Sequence, residues 1–545
     1  MRRAAALAAA AVAALVVSAA ADAARFAVGV DRAASLPRVA ERLRSYGTVS
    51  SELGRMHVLV VEGRSVRGIR RVDGVRWAEW LGSRSRRVAF APTDPLAPKQ
   101  WYVQQDRAFD FWPETPLLPA VKVAVVDSGI DLAHPELAPR VVAARTFVGR
   151  SVADVEGHGT FIAGEIAAAT NNAEGIAGIA FPAQLLVAKV VRSDGTISLE
   201  AEAKAIRWAA DNDARVINLS IGGLRDPKNL ARDTFSQLEA AAVQYAVAKG
   251  ALVVAAVGNN DQAPAAPWPY ASYPAALPHV IGVSSIGRAN SVSRFSNRDS
   301  IYNDIAAPGE DILSTLPRAL TRDRPSCVDQ GYSDCGPTDY RHARGTSFAA
   351  PQVTAAAALV LAQSPALRPA QAGAMLERSA ADLNPTNGCA ACAPGRDALS
   401  GWGRLDIAAA LAAAQGPLPH HDAFEPNDDV GGHSGVLLAR DGRIDATLDY
   451  WDDPSDVYPL DLVARRRLTV SVSGSLAGAA RIALWRTRTK TVSGLSATRA
   501  LARSTRVGAT QRLVYVAPPQ NAGRYYVQVS VRRPASGAYL LSWTR

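Results

Sequence analysis

Between residues 100 and 414, short apolar runs alternate with longer segments whose apolar residues recur at helical spacing. Five of the short runs are largely hydrophobic: "VKVAVVDSG", "QLLVAKVV", "ARVINLSIGG", "GALVVAAVGN" and "PHVIGVSS". Strands that are apolar on both faces are typical of a parallel sheet covered by helices on each side. Segments such as "EAEAKAIRWAADND" supply helices between them. We therefore expect an α/β domain over residues 91–415, with its site at the carboxyl ends of the strands.

The chain on either side of this region has different patterns. Residues 24–90 alternate short β-like runs with two amphipathic segments, which predicts a small α+β unit of the β-α-β-β-α-β, ferredoxin-like kind. Residues 442–545 contain short strands with alternating polar and apolar positions and turn residues between them, which predicts an all-β sandwich. Residues 416–441 carry prolines, glycines and acidic residues and are predicted to be a linker.

The N-terminus has the features of an export signal. Two arginines precede an apolar run from Ala4 to Val17, and Ala21-Asp22-Ala23 fits the small-x-small cleavage rule. Because the run is short for a membrane span, we interpret residues 1–23 as a signal peptide. No later segment is long and apolar enough to predict a span. We therefore expect a secreted protein, extracellular or, in a Gram-negative host, periplasmic.

Composition narrows the possible functions. The 545 residues are 48% hydrophobic and 20% charged, as soluble domains with real cores usually are. The formal net charge of +10 raises the question of nucleic-acid binding. However, the arginines are scattered and are not interleaved with aromatic residues, as a nucleic-acid groove requires. We therefore interpret them as solvated surface and expect no nucleic-acid partner.

Four cysteines are consistent with an oxidising compartment. The simplest of the three possible connectivities joins Cys327 to Cys335 and Cys389 to Cys392. The alternative for "CAAC" is half of a zinc site, but no second such pair or nearby histidine pair accompanies it. Disulfides are the preferred interpretation.

A serine in "RGTSFAAPQV" is the first candidate for chemistry. The apolar run that follows predicts a buried helix, and Pro351 places its first turn close to Ser347. Ser347 could cap that helix with its hydroxyl. Capping is the commoner role for such a serine, but Ser347 could instead be a nucleophile that uses the helix N-terminus to hold an oxyanion. The residue alone does not decide between the two roles.

Three further polar residues stand at strand or helix ends that face the same predicted crevice. Asp127 ends the strand "VAVVDSG", His158 precedes an apolar helix in "GHGTFIAG", and Asn259 ends the strand in "VVAAVGNND". Each has an ordinary structural explanation, as a turn former, a cap or a surface residue. Together they supply a base, a carboxylate to orient it and an amide donor for an oxyanion.

Another strand ends in "NLSIGG" with glycine-rich backbone, where an extended peptide could add as a strand. The alternative is an ordinary glycine turn. We expect substrate backbone to bind at this edge and at the end of the next strand; the predicted residues are Ser220, Ile221, Gly222, Ala256, Val257 and Gly258.

These motifs together resemble those of the subtilisin-like serine proteases (subtilases), in the order Asp-His-Ser. The likeness runs from about Asp94 to Ala414, and within the family this region is most similar to the thermitase-like branch. The resemblance implies that Asp127, His158, Ser347 and Asn259 are catalytic. It also implies that residues 24–90 are a propeptide that inhibits and chaperones the enzyme and is removed by self-cleavage. The C-terminal region resembles a pre-peptidase C-terminal domain, although "VARRR" replaces its usual glycine-rich turn.

The resemblance also implies a structural calcium site at "AATNNAEGIAG". The implied ligands are the side chains of Asp94, Glu136 and Asn172 and the carbonyls of Ala169, Glu174 and Ile176. Carboxylates, an amide and carbonyls are the hard oxygen donors that calcium takes. The alternative is an asparagine-rich turn, and Glu136 stands where aspartate is more usual.

The sequence thus predicts a monomeric secreted endopeptidase that hydrolyses protein or peptide substrates through an acyl-enzyme, with its propeptide as an intramolecular inhibitor. Two other classes of protein compete with this interpretation. One is an inactive binder that presents its groove or its sandwich to a ligand. The other is a different hydrolase, which the missing G-x-S-x-G elbow and the Asp-His-Ser order disfavour.

Overall fold

The computed structural model describes residues 24–63, 66–81, 90–323, 339–416, 422–430, 434–451, 453–486, 488–492, 499–520 and 522–545. The predicted signal peptide and the Cys327–Cys335 pair lie outside these ranges. The chain divides into two units, Met1–Arg86 and Arg87–Arg545, and each is described separately.

The first unit is a four-stranded antiparallel sheet with two helices. In chain order its elements are β1 (Ala24–Val30), α1 (Leu36–Leu43), β2 (Gly47–Leu53), β3 (Val58–Gly63), α2 (Val66–Ile69) and β4 (Val75–Trp80). The strand order is β2-β3-β1-β4. Val28, Leu59 and Val61 of the sheet share one core with Leu43 and Ile69 of the helices. The predicted β-α-β-β-α-β order is therefore confirmed.

A parallel seven-stranded sheet dominates the second unit. Its strands are β5 (Val121–Asp127), β6 (Val141–Thr146), β7 (Ala183–Lys189), β8 (Val216–Leu219), β9 (Leu252–Ala256), β10 (Val280–Ile286) and β11 (Ile305–Pro308). Their order is β11-β10-β9-β8-β5-β7-β6. The five predicted runs are β5 and β7 to β10. Sequence analysis missed both edge strands, because β6 is only half-buried and β11 is a short run, "IAAP", that ends in proline.

Helices cover both faces of this sheet. The helices of this part of the chain are α3 (Trp101–Gln105), α4 (His158–Ala167), α5 (Leu199–Asp211), α6 (Gln237–Ala248), α7 (Arg318–Asp323), α8 (Ala350–Gln363), α9 (Pro369–Ser379) and α10 (Ile407–Ala413). Side chains that alternate along β5 enter two different cores. Val123 and Val125 pack with α4 and α8, whereas Ala124 and Val126 pack with α5 and α6. A two-stranded ribbon, β12 (Ile312–Thr315) and β13 (Tyr340–Ala343), completes this part.

The C-terminal part forms two antiparallel sheets. Its strands are β14 (Gly442–Asp449), β15 (Ser455–Leu462), β16 (Arg467–Ser473), β17 (Ala480–Trp485), β18 (Ala502–Arg503), β19 (Thr505–Val507), β20 (Thr510–Val516), β21 (Gly523–Val531) and β22 (Ser536–Thr544). One sheet has the order β14-β22-β16-β20-β19 and the other β15-β21-β17-β18. Alternate residues such as Val470, Leu541, Val527 and Leu460 form their common core. The predicted all-β region is confirmed.

None of the helices in the described ranges combines the length and hydropathy that crossing a membrane requires.

Candidate active site

Asp127 and His158 meet where β5 ends and α4 begins. Asp127 is the last residue of β5 and is fully buried, while His158 is the first residue of α4. The Nδ1 atom of His158 lies 2.8 Å from Oδ1 of Asp127. A buried carboxylate is an acceptor only, so Nδ1 carries the proton and donates it, which leaves the lone pair on Nε2. The imidazole is thus prepared to accept a proton at Nε2.

A second carboxylate, which sequence analysis missed, holds these two elements together. Asp154 Oδ1 accepts from the Ser128 hydroxyl at 2.9 Å, and its Oδ2 accepts from the Thr160 backbone N–H at 2.8 Å. Ser128 Oγ in turn accepts from the Gly159 N–H at 2.8 Å. A Cβ on Gly159 would lie 2.4 Å from the Gly129 carbonyl oxygen, so only glycine permits this approach. In the sequence, the signal that could have indicated this role is the position of Asp154, four residues before the candidate histidine.

Ser347 does not cap a helix. It lies in a short 3-10 turn, Thr346–Phe348, and Ala349 is the N-cap of α8. The Ser347 hydroxyl donates to the Ser220 carbonyl at 3.1 Å, and the Ser220 hydroxyl donates to the Ser347 carbonyl at 2.7 Å. This reciprocal pair fixes the turn against the end of β8. The structure therefore leaves the Ser347 side chain at the crevice instead of using it to satisfy helix N–H groups.

Asn259 is oriented by the residue that precedes the serine. Its Oδ1 accepts from the Thr346 N–H at 3.1 Å and from the Thr346 hydroxyl at 3.0 Å. With the oxygen held there, the Nδ2 group is left to donate elsewhere. Neither Nδ2 of Asn259 nor the N–H of Ser347 has a hydrogen-bond partner among the described residues. Sequence analysis did not find the role of Thr346, because it depends on contact between distant loops.

These side chains line one cavity of about 200 Å³. The lining includes Asp127, His158, Asn259 and Ser347 together with five of the six predicted substrate residues, Ser220, Ile221, Gly222, Ala256 and Gly258. Within the described ranges no residue hydrogen-bonds the backbone of Ile221 or Gly222, which leaves that edge available to an extended peptide.

Val257 differs from that expectation. Its side chain is fully buried in the core shared with α5 and α6, and the cavity lining does not include it. Its N–H donates to the Val283 carbonyl, and its own carbonyl accepts from the Ser272 N–H. Because strand neighbours alternate between faces, Ala256 and Gly258 reach the cavity while Val257 points into the core.

Comparison with known proteins identifies this arrangement. The subtilase family model matches residues 119–403, just over half of the chain. The chain belongs to the subtilase family. The thermophilic serine proteinase of Bacillus sp. (strain AK1) is 34% identical over 279 residues, which are 51% of this chain and 61% of that protein. Thermitase of Thermoactinomyces vulgaris is 34% identical over 281 residues, which are 50% of this chain and 86% of thermitase. The major intracellular serine protease of Bacillus subtilis (strain 168) is 36% identical over 247 residues. It is matched over 44% of this chain and 68% of its own length.

Residues 119–403 therefore form a subtilisin-like serine endopeptidase domain, and the similarity to thermitase agrees with the predicted thermitase-like branch. The chain covers less than two thirds of the Bacillus AK1 relative, and the matches leave about half of this chain uncovered.

Carboxylates control the charge of His158 in this subtilase. Burial lowers the pKa of the imidazole, but the charge and hydrogen bond of Asp127, with further charges on Glu156 and Asp154, raise the pKa to about 9. Glu156 lines the cavity and is partly buried; desolvation raises the pKa of its carboxyl group. Sequence analysis also missed Glu156, two residues before His158.

The predicted calcium residues come together in one loop. Glu136 is fully buried; its Oε2 accepts from Asn172 Nδ2 at 3.1 Å and its Oε1 from the Tyr340 hydroxyl at 3.0 Å. Desolvation raises the pKa of Glu136 to about 7, against the hydrogen bonds it accepts. Asp94 accepts from the N–H groups of Asn171 and Asn172 at 2.9 and 3.1 Å.

Three backbone carbonyl oxygens show whether the donor atoms of this loop suit a metal ion. The carbonyls of Ala169, Glu174 and Ile176 accept no hydrogen bond from any described residue. Unengaged carbonyls beside two carboxylates form a hard oxygen donor set, and calcium takes such donors. The residues therefore fit calcium, although Glu136 already uses both oxygens in hydrogen bonds within the protein.

Of the cysteines, Cys389 and Cys392 lie with their sulfur atoms at bonding distance.

Proposed function

We propose that the whole chain is a secreted serine endopeptidase that is made as a zymogen and processes itself. The observation that carries the proposal is the hydrogen bond between His158 and Asp127 in the same cavity as Ser347 and Asn259. A base oriented by a carboxylate next to a serine hydroxyl is the arrangement that acyl transfer needs.

The reaction starts when the Ser347 hydroxyl turns from the Ser220 carbonyl to Nε2 of His158. His158 accepts the proton as Ser347 Oγ attacks the scissile carbonyl carbon, and Asp127 stabilises the imidazolium. The oxyanion accepts hydrogen bonds from Asn259 Nδ2 and from the N–H of Ser347, two donors that have no other partner among the described residues. His158 then protonates the leaving amine. Water, activated by the same imidazole, hydrolyses the acyl-enzyme.

Residues 1–23 are proposed to direct export, and residues 24–90 to act as the inhibitory propeptide. The compact antiparallel unit that begins at β1 supports the second assignment, because such a unit can fold around its own core. We further propose that the mature protein is a monomer with disulfides Cys327–Cys335 and Cys389–Cys392.

Intact-mass spectrometry of the exported protein tests the proposed function. We expect the wild-type chain to lose a segment that ends between residues 82 and 98, and to cleave casein. Ser347→Ala is expected to keep that segment and to leave casein intact. The matched control is Ser364→Ala at the end of α8, which should behave as wild type.

Two results would contradict the proposal. Identical processing of wild type and Ser347→Ala, with casein intact in both, would assign the cleavage to another protease. An unprocessed wild-type chain without activity would support the inactive-binder alternative.

We also propose that calcium binds the loop of Asp94, Glu136 and Asn172, held by these side chains and by the three unengaged carbonyls. Bound calcium would supply structural rigidity and takes no part in the reaction. In a Ser347→Ala background, which prevents autolysis, chelation is expected to lower the thermal unfolding midpoint. Asp94→Asn should weaken calcium affinity at this loop about tenfold or more by calorimetry. Asp194→Asn, at an exposed turn, is the control.

A further inference from the structure

A group of five carboxyl groups and one histidine lies where the sandwich meets the peptidase domain. The members are His279, Asp422, Glu425, Asp428, Asp453 and Asp456, here called the seam cluster. One ligand atom from each of His279, Glu425, Asp428 and Asp453 lies within 4.8 Å of the others. Asp422, Glu425 and Asp456 form a second group by the same measure, so Glu425 belongs to both.

The two sides of the seam contribute differently. His279 immediately precedes β10 of the peptidase sheet, whereas the carboxylates come from the segment before β14, from the turn between β14 and β15, and from the start of β15. His279 Nε2 lies 3.1 Å from Asp428 Oδ2 and 3.5 Å from Glu425 Oε2. The imidazole is therefore the contribution of the peptidase domain to a cluster that otherwise belongs to the C-terminal part.

The seam cluster brings together five carboxyl groups, and its single imidazole can balance only one negative charge. Asp422, Asp453 and Asp456 are buried, and Glu425 and Asp428 are half-buried. Packing several carboxylates together in a buried place is unfavourable unless protons or cations accompany them.

One carboxylate in the cluster has an oxygen with no hydrogen-bond partner. Asp453 is 8% exposed, and its Oδ1 has no partner among the described residues. By contrast, Asp456 Oδ2 accepts from the hydroxyls of Tyr458 and Tyr539. A buried acceptor without a donor costs about 1–3 kcal/mol, a cost that a bound cation would remove.

A neutral side chain also lies against the cluster. Asn427 is fully buried, and the end of its side chain lies 2.8 Å from Asp456 Oδ1 and 2.9 Å from Glu425 Oε1. With its nitrogen at this position Asn427 donates to both carboxylates. Turned over, the same amide offers its oxygen to a cation between them.

The turn that carries Asp453 also contacts the peptidase domain through aromatic rings. Trp451 packs edge-on against Trp402 at 5.2 Å, and the guanidinium group of Arg396 lies 4.7 Å from the Trp451 ring centre. A cavity of about 280 Å³ runs beside the cluster between α9 and the sandwich. An ion that fixes this turn would therefore also fix the ring contacts beside it.

We propose that a divalent cation binds the seam cluster through Glu425, Asp428, Asp453 and the imidazole of His279, and that it fastens the sandwich to the peptidase domain. The donors are mainly carboxylate oxygens, which suit Ca²⁺ and Mn²⁺, and a single imidazole is compatible with Mn²⁺. The seam cluster is separate from the loop of Asp94, and the proposal does not rest on peptidase activity.

Titration calorimetry on the chelator-treated full chain tests binding, with Ser347→Ala in every sample and CaCl₂ or MnCl₂ as the probe. We expect one binding event that Asp94→Asn retains and that Asp453→Asn weakens at least tenfold. His279→Gln should weaken the same event about tenfold. Asp445→Asn, an exposed carboxylate on β14, is the matched control and should bind as the parent does.

Thermal unfolding gives a second measurement. The difference in unfolding temperature between Asp453→Asn and the parent should have opposite signs in chelator and in the presence of the cation. In chelator, Asp453→Asn should unfold at a higher temperature than the parent, because a neutral amide replaces a buried carboxyl group that has an oxygen without a partner among the described residues. With the cation present the order should reverse. This reversal distinguishes loss of a ligand from simple misfolding of the variant.

Small-angle X-ray scattering tests the fastening. The parent is expected to become more compact when the cation is added, and His279→Gln should not. Unchanged affinity in Asp453→Asn or in His279→Gln would overturn the proposal. Cation binding that leaves the scattering of the parent unchanged would overturn it as well.

Discussion

At the residue scale, the geometry of His158 depends on side chains that do not touch the substrate. Asp154 joins Ser128, after β5, to Thr160 in the first turn of α4, and so determines where the imidazole sits relative to Asp127. Thr346 does the same for the Asn259 amide. The reactive groups are few, but their directions are set by hydrogen bonds from neighbouring turns.

The raised pKa of His158 predicts the pH dependence of activity. Only the neutral imidazole can accept the Ser347 proton, so kcat/KM should increase as the pH rises through about 9. Glu156→Gln removes one of the charges that stabilise the imidazolium. We therefore expect its activity limb to move to lower pH by roughly half a unit. Initial rates on a short peptide from pH 6 to 11 measure the shift.

Asp261→Asn is the matched control for that experiment, because Asp261 lines the same cavity and is not among the charges that act on His158. In Asp261→Asn the rise of kcat/KM should occur at the same pH as in the wild type. An unmoved limb in Glu156→Gln would contradict the electrostatic explanation.

At the scale of elements, α5 and α6 enclose a pair of buried acids. Glu202 and Glu239 are 3% and 2% exposed, and their carboxyl groups lie close enough to shift each other's pKa. Burial raises both pKa values above the ordinary value, and the proximity of Glu202 raises that of Glu239 further. At neutral pH the pair therefore holds a proton between the two helices.

This pair predicts alkaline sensitivity of the fold. Because the folded-state pKa values are raised, the stabilisation is complete below the unfolded-state pKa near 4.5. It decreases as the pH rises and is lost above the folded-state values. Glu239→Gln, neutral at every pH, should reduce this loss, with a gain on the order of 1 kcal/mol at pH 9 relative to pH 5. Thermal unfolding of Ser347→Ala proteins at both pH values measures it.

Glu200→Gln changes an exposed acid on α5 and should leave the pH dependence as in the parent. If Glu239→Gln showed the same alkaline loss as the parent, the shared proton would not be the cause.

At the scale of the molecule, the peptidase domain and the sandwich have separate hydrophobic cores. Residues of β5 to β11 and their helices form two clusters, and the sandwich forms its own. The side-chain contacts described at the seam are the His279 ion pairs and the packing of Trp451 on Trp402 and Arg396. Among the described residues, none that lines the active-site cavity comes from the sandwich.

A chain that ends after residue 416 is therefore expected to fold and to act on short peptides. Its kcat/KM should stay within about twofold of the full chain, because no lining residue of the cavity is removed. The comparison uses the processed forms of the truncated and full-length proteins. The Ser347→Ala variant of each is the control, because any activity it shows comes from a contaminating protease. Insoluble or inactive truncated protein would show that the peptidase domain needs the sandwich.

Local sequence determined much of this architecture. Continuous apolar runs predicted the central strands β5 and β7 to β10, since both faces of a parallel sheet are buried and no polar alternation is needed. Alternating runs predicted the sandwich for the opposite reason. The residues Asp127, His158, Asn259 and Ser347 could be proposed because each stands where an element starts or ends, and their motifs resemble those of one family.

Only the tertiary structure decided which of these residues share a cavity, and which groups orient them. Val257 was expected at the substrate edge but faces the core, because the pleat that exposes Ala256 and Gly258 must bury their neighbour. Asp154, Thr346 and Glu156 gain their roles through contacts between turns, and His279 through contact with a segment about 150 residues later in the chain. Local sequence specifies periodicity and turns, whereas such contacts exist only once the sheet and the sandwich have assembled.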